Sequence, residues 1–199
     1  MINKIINLSI VLFAMFLLLS CIPQQAKPVR TVSNPEFNPK SINKIAIFVQ
    51  DGRNFRHAKN FPQRLVEDEF MTGLIEKGYS VPARSDIEKI MKEQQFQHSG
   101  LADEDAAKLG KILNVPAILI VSLTQYENKN SGHTSNQYIM DRVEATLSAR
   151  LVSVEKTEVL WVGTYSARAK KDQGSNLCAT IAKRIADSFP SRYLQNQAQ

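Results

Sequence analysis

The sequence predicts an α+β fold, a mixed and largely antiparallel sheet packed by helices in the order β-α-β-α-α-β-β-β-α. Three observations carry this. Lys44–Gln50 (KIAIFVQ) is a nearly continuous apolar run, apolar residues recur at helical spacing between Phe61 and Lys77, and Val143, Ala145, Leu147, Ala149 and Leu151 alternate with polar neighbours. A length of 199 residues suits one domain with targeting and linker segments. An apolar fraction of 43% against 22% charged is that of a globular chain with a core of its own, which excludes disorder as the overall state.

From Ile22 to about Ser41 the chain is polar and carries Pro23, Pro28, Pro35 and Pro39, the composition of an extended tether. KIAIFVQ then reads as an interior strand, followed by a loop at Asp51-Gly52-Arg53-Asn54. Leu65, Val66, Phe70, Met71, Leu74 and Ile75 form the stripe of an amphipathic helix, with Pro62 at its first turn and Gly78 as its stop. Tyr79–Ala83 is short and β-prone. Ser85 opens an S-x-x-E capping signature with Glu88, and Ile87, Ile90 and Met91 share the face of the helix it starts.

A third helix, Asp103 to Leu113, ends at Asn114-Val115-Pro116 before the strand Ala117–Tyr126. The Lys44 and Ala117 strands are expected at the centre of the sheet. Gln137–Val154 and Val159–Ala169 make a β-hairpin turning at Lys156-Thr157, with Val159 and Trp161 on one side and Leu160 and Val162 on the other. Gly174-Ser175-Asn176 opens a last helix whose stripe is Leu177, Cys178, Ile181, Ile185 and Phe189, before Pro190 and a frayed polar tail.

At the amino terminus, Met1–Asn7 carries Lys4 and leads into Leu8–Leu19, an apolar run too short to span a bilayer comfortably and suited to a signal-peptide core. It closes on Leu18-Leu19-Ser20-Cys21, which resembles the lipobox of bacterial lipoproteins, where a small residue precedes an obligatory cysteine. The resemblance implies cleavage between Ser20 and Cys21, a diacylglycerol on the Cys21 thiol and a further acyl chain on the new amino group, with no other cofactor. Two or more chains hold a protein on a bilayer where one does so marginally. Ile22 stands where lipoproteins retained at an inner membrane often have aspartate, so the same resemblance implies an outer-membrane anchor with the domain in the periplasm. The segments expected are therefore 1–20 as signal peptide, 21–41 as lipidated terminus and tether, 42–190 as the α/β domain and 191–199 as a polar tail.

With Cys21 acylated, Cys178 has no partner for an intramolecular disulfide, and folding rests on packing. A net charge of +6 permits attraction to anionic lipid, cell-wall polymer or acidic proteins, while an exported chain gives no reason to expect nucleic acid as a partner. His57, His98 and His133 fall in loops or helix ends without a second ligand at metal-binding spacing. There is no G-x-S-x-G, Walker or H-E-x-x-H motif. Cys178 lies on an apolar stripe, where a buried, inert thiol is expected. Asp103, Glu104 and Asp105 read as carboxylates that offset a helix dipole rather than as a catalytic pair. No catalytic or metal residue is predicted. Two basic clusters, Arg53, Arg56, His57, Lys59 and Arg64, and Arg168, Lys170 and Lys171, could meet an anionic partner, although basic loops are more often solvated surface.

Four segments resemble the periplasmic domain of CsgG-like lipoproteins: KIAIFVQDGRN at Lys44–Asn54, LIEKGYSVPARSDIEKIMKEQ at Leu74–Gln94, NVPAILIVSLTQYE at Asn114–Glu127 and SARLVSVEKTEVLWVGTYSA at Ser148–Ala167. This family includes the curli secretion component and, more distantly, lipoprotein activators of penicillin-binding proteins. The segments encode strands, turns and helix stops rather than a reactive site, so function transfers through them only weakly. The curli channel inserts two long hairpins that build a shared barrel. Here ENKNSGHTSNQ after Tyr126 and KKDQGSN after Ala169 are too short, since a membrane strand needs about 9–11 residues and a hairpin twice that. The resemblance implies a non-enzymatic, lipid-anchored protein that binds other envelope proteins as an accessory to assembly or secretion. The alternatives are an oligomeric component of a curli-like secretion channel and an activator of a penicillin-binding protein.

Overall fold

The computed structural model of the chain describes residues 28–53, 61–93, 101–129, 142–170 and 173–193. Five strands and four α-helices are present among them: β1 (Arg30–Ser33), β2 (Ile45–Asp51), α1 (Gln63–Glu76), α2 (Arg84–Glu93), α3 (Asp103–Leu113), β3 (Ala117–Lys129), β4 (Arg142–Ser153), β5 (Val159–Lys170) and α4 (Gly174–Ser188). The strands form one open sheet in the order β1-β5-β4-β3-β2. Only β2 and β3 pair in parallel; the other three pairings are antiparallel, as the predicted class requires.

Alternation along the strands sends residues to two different layers. Ile45, Ile47, Val49, Leu119, Leu147 and Trp161 point to one face, where α1 and α4 bury them. Ala46, Phe48, Ile118, Ile120 and Val152 point to the other, beneath α2 and α3. On the first face Phe189, which ends α4, meets Trp161 edge-on at 4.7 Å, Tyr79 at 5.4 Å and Phe37 at 6.3 Å between ring centroids. Each fully buried large apolar side chain contributes roughly 1.5–3 kcal/mol, so this aromatic group ties the amino-terminal segment, the end of α1, β5 and α4 into one unit.

Two close approaches depend on glycine. Gly73 sets α1 against α4, where an added Cβ would come within 2.7 Å of the Ala186 Cβ. Gly78 stops α1 with a φ of +87°, a conformation costly to other residues. Asn114 closes α3 in the left-handed region at φ 51°, and Thr157 turns the hairpin at φ 56°.

The sequence expectations need five corrections. The stretch read as tether contains β1, paired with β5 from Arg30↔Thr164 to Ser33↔Trp161, and a 3-10 turn at Pro39–Ser41; all four β1 residues are exposed, so no burial pattern announces the strand. Tyr79–Ala83 adds no strand, only the bridge Lys44↔Ser80. β2 lies at the sheet edge rather than the centre, and its apolar run arises from helices on both faces. A bulge between Leu151↔Trp161 and Val152↔Val159 puts Val159 under the α2/α3 layer and Trp161 under α1/α4, not on one side. Ser85 is the second residue of α2 rather than its cap, a shift within the usual uncertainty of helix ends.

The start of the polar tail is also held. The Arg192 backbone N–H donates to the Lys77 carbonyl at 3.1 Å, and its guanidinium donates to the Gly78 carbonyl at 2.9 Å.

Candidate interaction surface

The two faces of the sheet are not equally covered. The α1/α4 layer spans the sheet from β2 to β5, whereas α2 and α3 reach across β2 and β3 only to the Val152–Val159 end of β4 and β5. Beyond that seam β4, β5 and β1 present a polar surface among the described residues. Its middle is a grid of hydroxyls: Thr146 and Ser166 lie 2.8 Å apart across β4 and β5, and Ser148 and Thr164 lie 3.3 Å apart in another row. Val162 and Val32 face each other in the next row toward the turn, and Val32 is 60% exposed.

The seam itself is polar and satisfied. Arg150, across from Ile120, donates to Asp103 Oδ1 at 2.9 Å and to the Leu101 carbonyl at 3.1 Å. Beside it, buried Gln50 donates to Ser122 Oγ at 2.9 Å and accepts the Leu101 backbone N–H at 2.7 Å. These bonds pin the lead-in to α3 at the limit of the covered area, because unpaired buried amides would carry a desolvation penalty. Asp103 thus orients Arg150, beyond the dipole role expected of it.

Other titratable groups serve packing. Arg53 forks onto Asp51 at 2.8 and 2.6 Å and lies 5.3 Å from the Tyr126 ring centroid. Partial burial pushes the Asp51 carboxyl up, but the hydrogen bonds and charge of Arg53 outweigh this and hold it below the ordinary range. Arg84 bridges Glu67 at 2.7 Å and Asp68 at 2.6 Å. Burial still raises the Glu67 carboxyl against the pull of Arg84. Burial pushes the Cys178 thiol up to about 11 and the Tyr79 hydroxyl to about 12; the latter donates to the Pro190 carbonyl at 2.9 Å. A protonated, buried thiol is a poor nucleophile.

At the turn end of the sheet a cleft of about 400 Å³ lies between the amino-terminal segment and the β4–β5 turn, lined by Phe37, Ile42, Pro116, Val154 and Leu160 among others. Lys156 and Glu36 form an ion pair of 2.6 Å at this cleft.

Of the residues singled out from sequence, Ser20, Cys21, Arg56, His57, Lys59, His98, His133 and Lys171 lie outside the described residues. Arg53 is neutralised as above, and Arg64 is exposed in the first turn of α1. Arg168 pairs with Glu144 at 3.1 Å, while Lys170 is exposed at the end of β5. Among the described residues no group of three His, Cys, Asp or Glu side chains could hold a metal ion, and no helix there is long and apolar enough to cross a membrane. The hydroxyl grid and Arg150 were missed from sequence. Their sign was the polar half of the β4 alternation, Thr146, Ser148 and Arg150, which looks the same whether a strand faces solvent or a partner.

Comparison with known proteins gives a consistent picture. The profile of the family described as curli production assembly/transport component CsgG matches residues 24–188. No curated protein matches by sequence. Among solved structures, the chain is similar to lipoprotein GNA1162 from Neisseria meningitidis at 18% identity and a TM-score of 0.53, covering 73% of this chain and 96% of that one. It is also similar to the PelC dodecamer from Paraburkholderia phytofirmans at 11% identity and a TM-score of 0.50, covering 82% and 97%. At these identities the likeness establishes the shared fold.

Proposed function

The chain belongs to the CsgG family, and from that premise we propose that it is a non-enzymatic, lipid-anchored envelope protein that acts by binding other envelope proteins. The observation that carries this reading is the open half of the sheet. A face that four helices leave bare, with an exposed Val32 beside Val162 and hydroxyls across two strands, offers a flat surface of mixed polarity. Such a composition suits a non-obligate interface, which is about as apolar as ordinary surface. The lipobox at Leu18–Cys21 supplies the anchor, with cleavage before Cys21, in an outer membrane facing the periplasm.

A second reading is supported by a specific feature: β1 is a four-residue edge strand, and a free edge can pair with another chain. A solved relative of the same fold is a dodecamer, so assembly of this chain into a ring is the alternative.

One experiment separates the two. The lipidated protein is purified from cells with and without Thr164→Arg, its partners are identified by mass spectrometry and its mass is measured in detergent. Loss of a co-purifying envelope protein from the variant, with mass unchanged at one copy, supports the accessory reading; a multiple of the chain mass that the substitution dissociates supports the ring. Retention of every partner and of the mass by Thr164→Arg contradicts the assignment of this face.

A further inference from the structure

We propose that the end of the sheet formed by Arg142 and Lys170 docks on the anionic headgroups of the membrane to which the chain is tethered. The inference deepens the reading above and rests on lipidation of Cys21.

The first observation is the charge at that end. β4 begins at Arg142 and β5 ends at Lys170, the two are register partners, and both are exposed. Like charges directly opposite each other across two strands repel, and an anion lying against them removes that cost. α1 and α4 both start at this end, and neither carries an acidic residue in its first turn, so two helix-dipole positive poles add to the field. Exposed Arg64 stands in the first turn of α1.

The second observation is the direction and reach of the tether. β1 runs antiparallel to β5, so from Arg30, opposite Thr164, the chain heads back alongside β5 toward Lys170. Thr164 to Lys170 is six strand residues, about 20 Å. Cys21 to Arg30 is nine residues, which reach about 30 Å at most. A tether continued along the line of β1 would pass the Lys170 end with about 10 Å of its greatest reach left beyond it. That is close to the Debye length of about 8 Å at physiological ionic strength, so the field of this end reaches the headgroups. The opposite end, at the β4–β5 turn, then points away from the bilayer and leaves the cleft and the open face accessible.

The test uses the full chain purified with its lipid, whose acylation at Cys21 is first read from the mass of the amino-terminal peptide. A fluorophore is placed at exposed Gln173 through Gln173→Cys, Cys178 being buried. The protein is reconstituted into zwitterionic vesicles, with or without a third of phosphatidylglycerol, that carry a headgroup quencher. Quenching should rise in the anionic vesicles and fall back in 0.5 M salt. Arg142→Ala or Lys170→Ala should each lower the docked-to-undocked ratio about five-fold, while Lys183→Ala on α4 leaves it unchanged. Equal quenching in both vesicle types, or indifference to the two substitutions, overturns the proposal. Salt-sensitive capture of an acidic polypeptide without any vesicle dependence makes the end a protein-docking surface instead and also overturns it. An unacylated Cys21 removes the lipid reading itself, and the amino-terminal mass reports that separately.

Discussion

The two faces of one sheet obey different rules. Under α1 and α4 an apolar core runs from β2 to β5 and closes on an aromatic group around Phe189. On the other face the same strands are apolar only as far as α2 and α3 extend, and then become Ser148, Thr146, Thr164 and Ser166. Strand pairing continues beneath both, since β4 and β5 pair from Leu151↔Trp161 to Arg142↔Lys170 without a break in register. Backbone hydrogen bonding therefore makes the sheet, and side-chain burial decides which half of it is structural and which is available to a partner.

The largest effect that tests this contrast is on the closed face. Trp161→Ala removes the ring at the centre of the aromatic group and should cost about 3–5 kcal/mol, read from the denaturation midpoint. Next, Gly73→Val forces a side chain between α1 and α4, and overpacking there should cost about 1–3 kcal/mol. A loss below about 0.5 kcal/mol in either case would mean that the α1/α4 layer does not carry the fold.

These two positions also show what the sequence made legible. The α4 stripe and the β4 alternation are strong periodic signals because each apolar residue in them is buried, and they placed the closed face correctly. β2 has the composition of an interior strand because helices cover both its faces, and burial says nothing about how many neighbours a strand has. β1 was hidden for the opposite reason: Arg30–Ser33 gains backbone pairing but buries nothing. The seam from Gln50 to Arg150 brings together residues far apart in the chain, and no local pattern marks such contacts. Cys21, the one residue singled out for function from sequence, stands outside the described residues and depends on its lipobox context.

A smaller effect sits at the rim between the faces. Arg53→Leu breaks the fork to Asp51 and should cost about 1 kcal/mol at neutral pH, since the pair is only partly buried. The Asp51 carboxyl ionises below its ordinary value in the fold, so this contribution is present above about pH 4 and is lost as pH falls toward the folded value. Parallel denaturation curves of the two proteins should therefore converge in acid. A gap that is constant with pH would assign the loss to packing on Tyr126 instead.

The smallest effect on stability belongs to the open face. Ser148→Ala and Thr146→Ala should each shift stability by no more than about 0.5 kcal/mol, because their hydroxyls are part-exposed and water replaces the lost bonds. Calorimetry of the single variants checks this, and a loss as large as that of Gly73→Val would place these hydroxyls among the structural residues.

The most direct test of the account is site-specific photo-crosslinking in living cells, with the crosslinker placed at Thr164 on the open face and, separately, at Glu69 on α1. The account predicts discrete adducts, to an envelope protein or to a second copy of the chain, from Thr164 and none of comparable yield from Glu69. Adducts from Glu69 alone would move the binding surface to the helical layer and contradict the assignment of the open face.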